Sequence, residues 1–203
     1  MTTTPDAAGP TDVSARSMLP AAAGRFGALV HAVPAAGWDR PTPCAGWSVR
    51  DLVNHLVAEH LWAAPLLGGS TLDDVGDRYD GDVLGDRPAA AWDAAITASM
   101  RSWAMAREDQ KVDLSQGPTP AGEYAEQMLA DLVVHAWDLA RGIGADPGLD
   151  DGQAAHVLAY LEPRIEGWAS AGVFAAPVPT SSTDVVARLV ALTGRDPEWS
   201  PGA

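Results

Sequence analysis

Apolar residues recur at intervals of three and four through most of the chain, which therefore reads as a series of amphipathic helices. The first is expected to open at Pro20, since proline belongs at a helix start and not in its interior, and to run to Val33. Pro34, Gly37, Pro41, Pro43 and Gly46 break the next stretch. Ser48, with Asp51 three residues on, then forms an approximate capping box for a second helix from Val49 to Ala64, ending near Pro65. The Gly- and Asp-rich segment 68–87 reads as a long acidic loop. Pro88 starts a third helix, with Trp92, Ala95, Ile96, Ser99, Met100 and Trp103 on a three-four rhythm. A short extended piece, Val112 to Leu114, and a Gly-Pro-Thr-Pro turn lead to a fourth helix, Ala121 to Gly142, stopped by Gly142 and Gly144. A fifth follows from Asp151 to Ala171, kinked at Pro163, and a last short one spans Asp184 to Thr193. With no useful strand alternation and no repeat, four main helices predict an all-α bundle.

The chain has 203 residues, 47% apolar and 20% charged, which fits one globular domain, placed at 13–203. Residues 1–12 are small, polar and punctuated by Pro and Gly, and are expected to form a disordered tail. Thirteen basic against 27 acidic residues give a net charge of -14, a field that repels phosphate backbones and anionic lipid, so neither nucleic acid nor membrane is an expected partner. No apolar run approaches the roughly 20 residues of a membrane-spanning helix. The N-terminus has no basic segment followed by an apolar one, as a secretory signal would, so the expected location is the cytoplasm. The single cysteine, Cys44, excludes an internal disulfide and any cysteine-built zinc site, leaving histidines and carboxylates for a metal. It reads as a small buried hydrophobe, and Trp47 as a packing anchor for its loop. The acidic loop lacks the spacing of a calcium loop and reads as solvated.

Two helices carry candidate chemistry. In the second, Asp51, His55, Glu59 and Trp62 share one stripe beside Leu52, Val53, Leu56 and Val57. In the fourth, Asp131 and His135 are four apart and Asp138 lies three beyond, within a run that is apolar nearly all round. Side chains at i and i+4 project the same way, so Asp131 and His135 can converge on one ion, with His55 from a facing helix as third ligand. Two histidines and a carboxylate leave positions open for water or substrate, as catalytic metal sites do. A buried Asp–His hydrogen bond accounts for the same spacing. Glu59 is a candidate base and Asp138 a candidate acceptor orienting a ligand histidine. Trp62 and Trp137 are candidates for stacking a ligand, and Arg50 and Arg141 for supplying positive charge.

The block Thr42-Pro-Cys-Ala-Gly-Trp-Ser-Val-Arg-Asp-Leu-Val-Asn-His55-Leu, with Asp131-Leu-Val-Val-His135-Ala-Trp-Asp-Leu-Ala-Arg141 and the ending Gly194-Arg-Asp-Pro197, resembles the mycothiol-dependent maleylpyruvate isomerase N-terminal family of the DinB-like superfamily. The resemblance covers roughly residues 13–197. It implies an antiparallel four-helix bundle, here with an additional short C-terminal helix, and a divalent metal, usually zinc, held by His55, Asp131 and His135. It also implies mycothiol as a thiol cosubstrate. The isomerase differs in carrying Glu where Asp131 stands and in having a second, C-terminal domain. The function expected is thus a metal-dependent enzyme performing thiol-assisted transfer or isomerisation on a small organic substrate. The alternative is a non-catalytic metal- or ligand-binding bundle, and a homodimer is compatible with either.

Overall fold

The computed structural model describes residues 14–107 and 109–201; the expected tail, 1–12, lies outside them. Among the described residues, eight helices and one hairpin follow in order: α1 (Ala15–Ala32), α2 (Val49–Leu67), α3 (Leu72–Val75), α4 (Pro88–Met105), β1 (Lys111–Leu114), β2 (Gly117–Pro120), α5 (Ala121–Ile143), α6 (Asp151–Leu161), α7 (Ile165–Ser170) and α8 (Val185–Leu192).

The long helices α1, α5, α2 and α4 pack in that order around a ring, and contacts at their ends fix their directions. Arg16 at the start of α1 reaches the carbonyls of Ala104 and Ala106 at the end of α4, while His31 at the far end of α1 meets Asp93, so these two run antiparallel. Helices α2 and α5 are also antiparallel, with His55 beside Asp131 and Val49 beside Gly142. By contrast α2 and α4 run the same way: Arg50 bonds Asp82 and Gly85 just ahead of α4, and Gln110 beyond α4 bonds the Leu67 carbonyl at the end of α2. The acidic segment 68–87 makes that parallel pairing possible, because it returns the chain along the length of α2 before α4 begins. The result is a four-helix bundle with one long crossover. Its core holds Phe26, Leu52, Leu56, Trp92, Leu129, Leu132 and Leu139, all nearly solvent-free. Each such side chain contributes about 1.5–3 kcal/mol of transfer free energy.

Several boundaries differ from the sequence reading, mostly at prolines. Helix α1 starts at Ala15, five residues ahead of Pro20, because Ala15 and Leu19 already lie on the buried stripe continued by Ala22, Ala23 and Phe26. Pro65 likewise sits inside α2, since Leu66 and Leu67 continue its apolar face. Packing outweighs the ~3 kcal/mol that an interior proline costs. Pro163 does the opposite: the expected fifth helix breaks there into α6 and α7. The Gly-Pro-Thr-Pro segment is a strand and not a turn, pairing Leu114 with Gly117 and Val112 with Thr119, and placing Pro118 and Pro120 opposite Asp113 and Lys111. The acidic loop contains the single-turn helix α3, capped by Thr71 and Asp74.

Candidate metal centre

The loop before α2 is folded tightly on itself, with Thr42 donating from its backbone and its hydroxyl to the Trp47 carbonyl and Pro41 bridging to Ser48. Ser48 and Asp51 then complete the capping box that starts α2. This loop delivers Trp47 onto two histidines: its ring stacks on His135 with centroids 5.7 Å apart and tilts against His55 at 5.0 Å. Thr42 and Val49 lie against Gly142, where a Cβ would meet both within 3.2 Å, so a glycine on α5 lets the loop approach.

Between α2 and α5, one carboxylate lies between two imidazoles. Asp131 Oδ2 is 3.0 Å from His55 Nε2, and its Oδ1 is 3.3 Å from His135 Nε2. One ligand atom from each of the three lies within 4.8 Å of the others. Ligands of a zinc ion, at bonds of about 2 Å, lie roughly 3–4 Å from one another, so the three side chains fit a divalent ion with small adjustments. Each histidine also turns its Nδ1 toward a second carboxylate: His135 donates to Asp138 Oδ2 at 2.9 Å, and His55 faces Glu59 at 4.0 Å. Both Nε2 atoms are directed at the shared centre, and at His135 the bonded Asp138 makes the pattern in which an outer carboxylate orients a ligand imidazole. Asp138 is solvent-free, and its charge is met by Arg195, whose Nη2 lies 2.9 Å and Nε 3.3 Å away. A second triple, Cys44, His135 and Asp138, also lies within 4.8 Å, but there Asp138 is already committed to Arg195.

The charges are strongly coupled. Burial would raise the Asp131 carboxyl, yet the two histidines hold it far below the usual carboxylate range. Burial disfavours protonation of His135, but Asp131 and Asp138 overcome it and lift this histidine to about 9; His55 is raised in the same way by Asp131. Glu59 is pushed up by burial and then by the Asp131 charge. Asp138, despite its burial, stays low because His135 and Arg195 bond its ionised form. Burial lifts the Cys44 thiol to about 11, against the pull of Arg195, so it is held as a thiol.

The cluster stands where two cavities meet. The larger, 670 Å³, has His55, Glu59 and Asp131 at one end and Tyr124, Glu123, Arg164 and Trp168 beyond. The smaller, 530 Å³, reaches the same His55 and Asp131 from the side of Cys44, Trp47, His135 and Arg195. Val173 and Phe174 line both.

Of the residues singled out from sequence, His55, Asp131, His135, Glu59 and Asp138 come together here. The others lie apart. Arg50 is tied to Asp82 and Gly85. Trp62 packs edge-on to Tyr79 and lines a separate hollow beside Glu59. Trp137 is buried under the Arg141 guanidinium, which bonds the Pro197 carbonyl at 2.7 Å. Sequence reasoning gave Trp47 only a packing role and assigned none to Arg195; the Gly194-Arg195 pair was visible only as part of the ending that carried the resemblance.

A helical bundle with two histidines and a carboxylate converging between antiparallel α2 and α5 defines the class, and sequence comparison gives the family. Residues 19–140 match the family described as mycothiol maleylpyruvate isomerase N-terminal domain, and the chain belongs to that family. The chain is 30% identical over 138 residues to an uncharacterized protein of Mycobacterium tuberculosis strain CDC 1551 / Oshkosh, a match covering 66% of this chain and 70% of the relative. An uncharacterized protein of strain H37Rv matches with the same identity and coverage. No solved structure matches. Among the described residues, no helix is long and apolar enough to cross a membrane.

Proposed function

We propose that the chain is a metal-dependent enzyme that joins or transfers a thiol, mycothiol by its family, to a small electrophilic substrate. The supporting observation is the set of three ligand atoms, one each from His55, Asp131 and His135, at the junction of two cavities. A divalent ion bound there supplies Lewis acidity, lowering the pKa of a thiol or water at an open position. Asp131 would contribute the anionic ligand and the histidines neutral imidazoles, that of His135 fixed by Asp138. Glu59, whose carboxyl is raised by burial and by the Asp131 charge and which faces the larger cavity, takes the proton as the S–H bond breaks. The sulfur then forms a bond to the electrophilic carbon: in a substitution the pair of the breaking bond leaves with the departing group, and in an addition the π pair shifts to the neighbouring atom, which takes the proton from Glu59. Two cavities give thiol and electrophile separate approaches to one centre.

A second reading is favoured by one observation: Asp131 already pairs both histidines at 3.0 and 3.3 Å, as a metal-free ligand-binding bundle would require. Elemental analysis of purified protein, with thiol-transfer assays on wild type, His135→Ala and Glu59→Gln, separates the two. The enzyme reading expects stoichiometric metal, absent in His135→Ala, and a Glu59→Gln protein that retains metal but loses roughly 10²–10⁴-fold in turnover. Metal-free wild type, or transfer unchanged by chelation, overturns it.

A further inference from the structure

The strongest polar contact to the centre from outside α2 and α5 comes from the far end of the chain. Helix α8 ends in a Schellman turn: the backbone N–H of Gly194 bonds the Ala191 carbonyl and that of Arg195 bonds the Val190 carbonyl. Gly194 has φ +83, and a Cβ there would stand 2.6 Å from that of Ala175, so both its backbone conformation and its surroundings favour glycine. The turn presents Arg195, 6% exposed, toward α5. Its Nε and Nη2 span the Asp138 carboxylate, its Nη1 bonds the Thr193 carbonyl at 2.7 Å, and Phe174 lies against the guanidinium. Asp138 in turn receives the Nδ1 proton of His135.

We propose that Arg195, which lies outside the family match at 19–140, is a positioning residue of the centre: it fixes the Asp138 carboxylate, which fixes the His135 ring so that Nε2 faces Asp131. The α8 turn is thus a working part of the site and more than a C-terminal extension. An unanchored Asp138 could rotate away from Nδ1 or leave a buried charge unmet, and outer partners of metal-ligating histidines typically contribute roughly 10–100-fold in metal affinity. The metal part of this inference rests on the function proposed above.

The test is Co²⁺ affinity, by chelator competition, of the full-length protein and its Arg195→Gln, Arg195→Lys and Arg188→Gln variants, each with its thermal unfolding curve. Arg188→Gln removes an exposed pair from α8 to Glu162 at the end of α6 and controls for general loosening of α8. Expected are a roughly 10–100-fold loss for Arg195→Gln, a smaller loss for Arg195→Lys, whose ammonium keeps the charge but cannot span both carboxylate oxygens, and none for Arg188→Gln. A folded Arg195→Gln protein that binds Co²⁺ as well as wild type overturns the proposal. If Arg195→Gln fails to fold, Arg195→Lys decides: wild-type affinity there overturns it. If the wild type itself takes up no Co²⁺, the metal reading falls, and the downfield NMR signal of the His135 Nδ1 proton decides instead. Its loss in the Arg195 variants supports positioning, and its persistence overturns it.

Discussion

His60 lies wholly inside the bundle on α2, its Nδ1 2.9 Å from Ser99 Oγ and its ring edge-on to Trp92. Its Nε2 has no hydrogen-bond partner among the described residues. A second proton would place an uncompensated charge in the core, and burial accordingly holds this histidine at about 4 against an ordinary 6.5. A histidine with a depressed folded pKa takes up its proton first in the unfolded chain. Its contribution to stability is therefore complete above pH 6.5 and is lost as pH falls toward 4. At about 1.36 kcal/mol per pH unit, the loss reaches about 2 kcal/mol by pH 5 and about 3 kcal/mol by pH 4. His60→Asn keeps a polar group near the Nδ1 position for Ser99 and cannot take the proton. The volume it removes costs about 1–3 kcal/mol at every pH. Urea unfolding of both proteins between about pH 5 and 8 reads the difference. The variant should be the less stable at neutral pH, and the gap should narrow by about 2 kcal/mol by pH 5. A gap that stays constant across the range would refute the reasoning, because protonated His60 would then have found water or an acceptor in the folded state.

Two further outcomes follow from the site. Because His135 sits near 9 and His55 is also raised, metal binding at neutral pH must expel protons. Calorimetric titration with Zn²⁺ in buffers of different ionisation enthalpy should show that release, with affinity climbing from about pH 6 to 9; affinity flat over that range excludes histidine ligation. Gly194→Ala forces a side chain into positive φ and against Ala175, and should cost roughly 1–3 kcal/mol in thermal or urea unfolding. An alanine variant as stable as wild type would show that the 172–175 segment yields freely.

The cluster of His55, Asp131 and His135 was legible because its signal is periodic. Asp131 and His135 are one helical turn apart on a run that is otherwise apolar, and polar residues in such a run need partners, so α5 announced both its helix and its part in a polar cluster. His55 and Glu59 repeated the pattern on α2. Arg195 had no such signal: one arginine after one glycine carries no period, and its partner Asp138 is 57 residues away. Trp47 was placed correctly at the helix-two loop, but nothing local says that its ring covers two histidines contributed by different helices. The bundle itself was visible from spacing, whereas the parallel pairing of α2 with α4 depends on the path taken by 68–87. The proline errors share one cause: Pro20, Pro65 and Pro163 have the same intrinsic preference, and the apolar face continuing past the first two decides that only the third breaks its helix.

The Arg195 clasp also ties the centre to an element far along the chain. His55 and Asp131, 76 residues apart, meet once α2 and α5 have been made and have collapsed, but the counter-charge of Asp138 arrives only with the turn after α8. Until α8 docks on α6, His135 is the side chain left to meet Asp138. In the finished protein α8 packs chiefly on α6, and the turn after it carries Arg195 to Asp138. An opening confined to α8 and this turn would free Asp138 of its guanidinium partner without separating the four long helices, and faster hydrogen exchange at the amides of α8 than at those of α5 would reveal it.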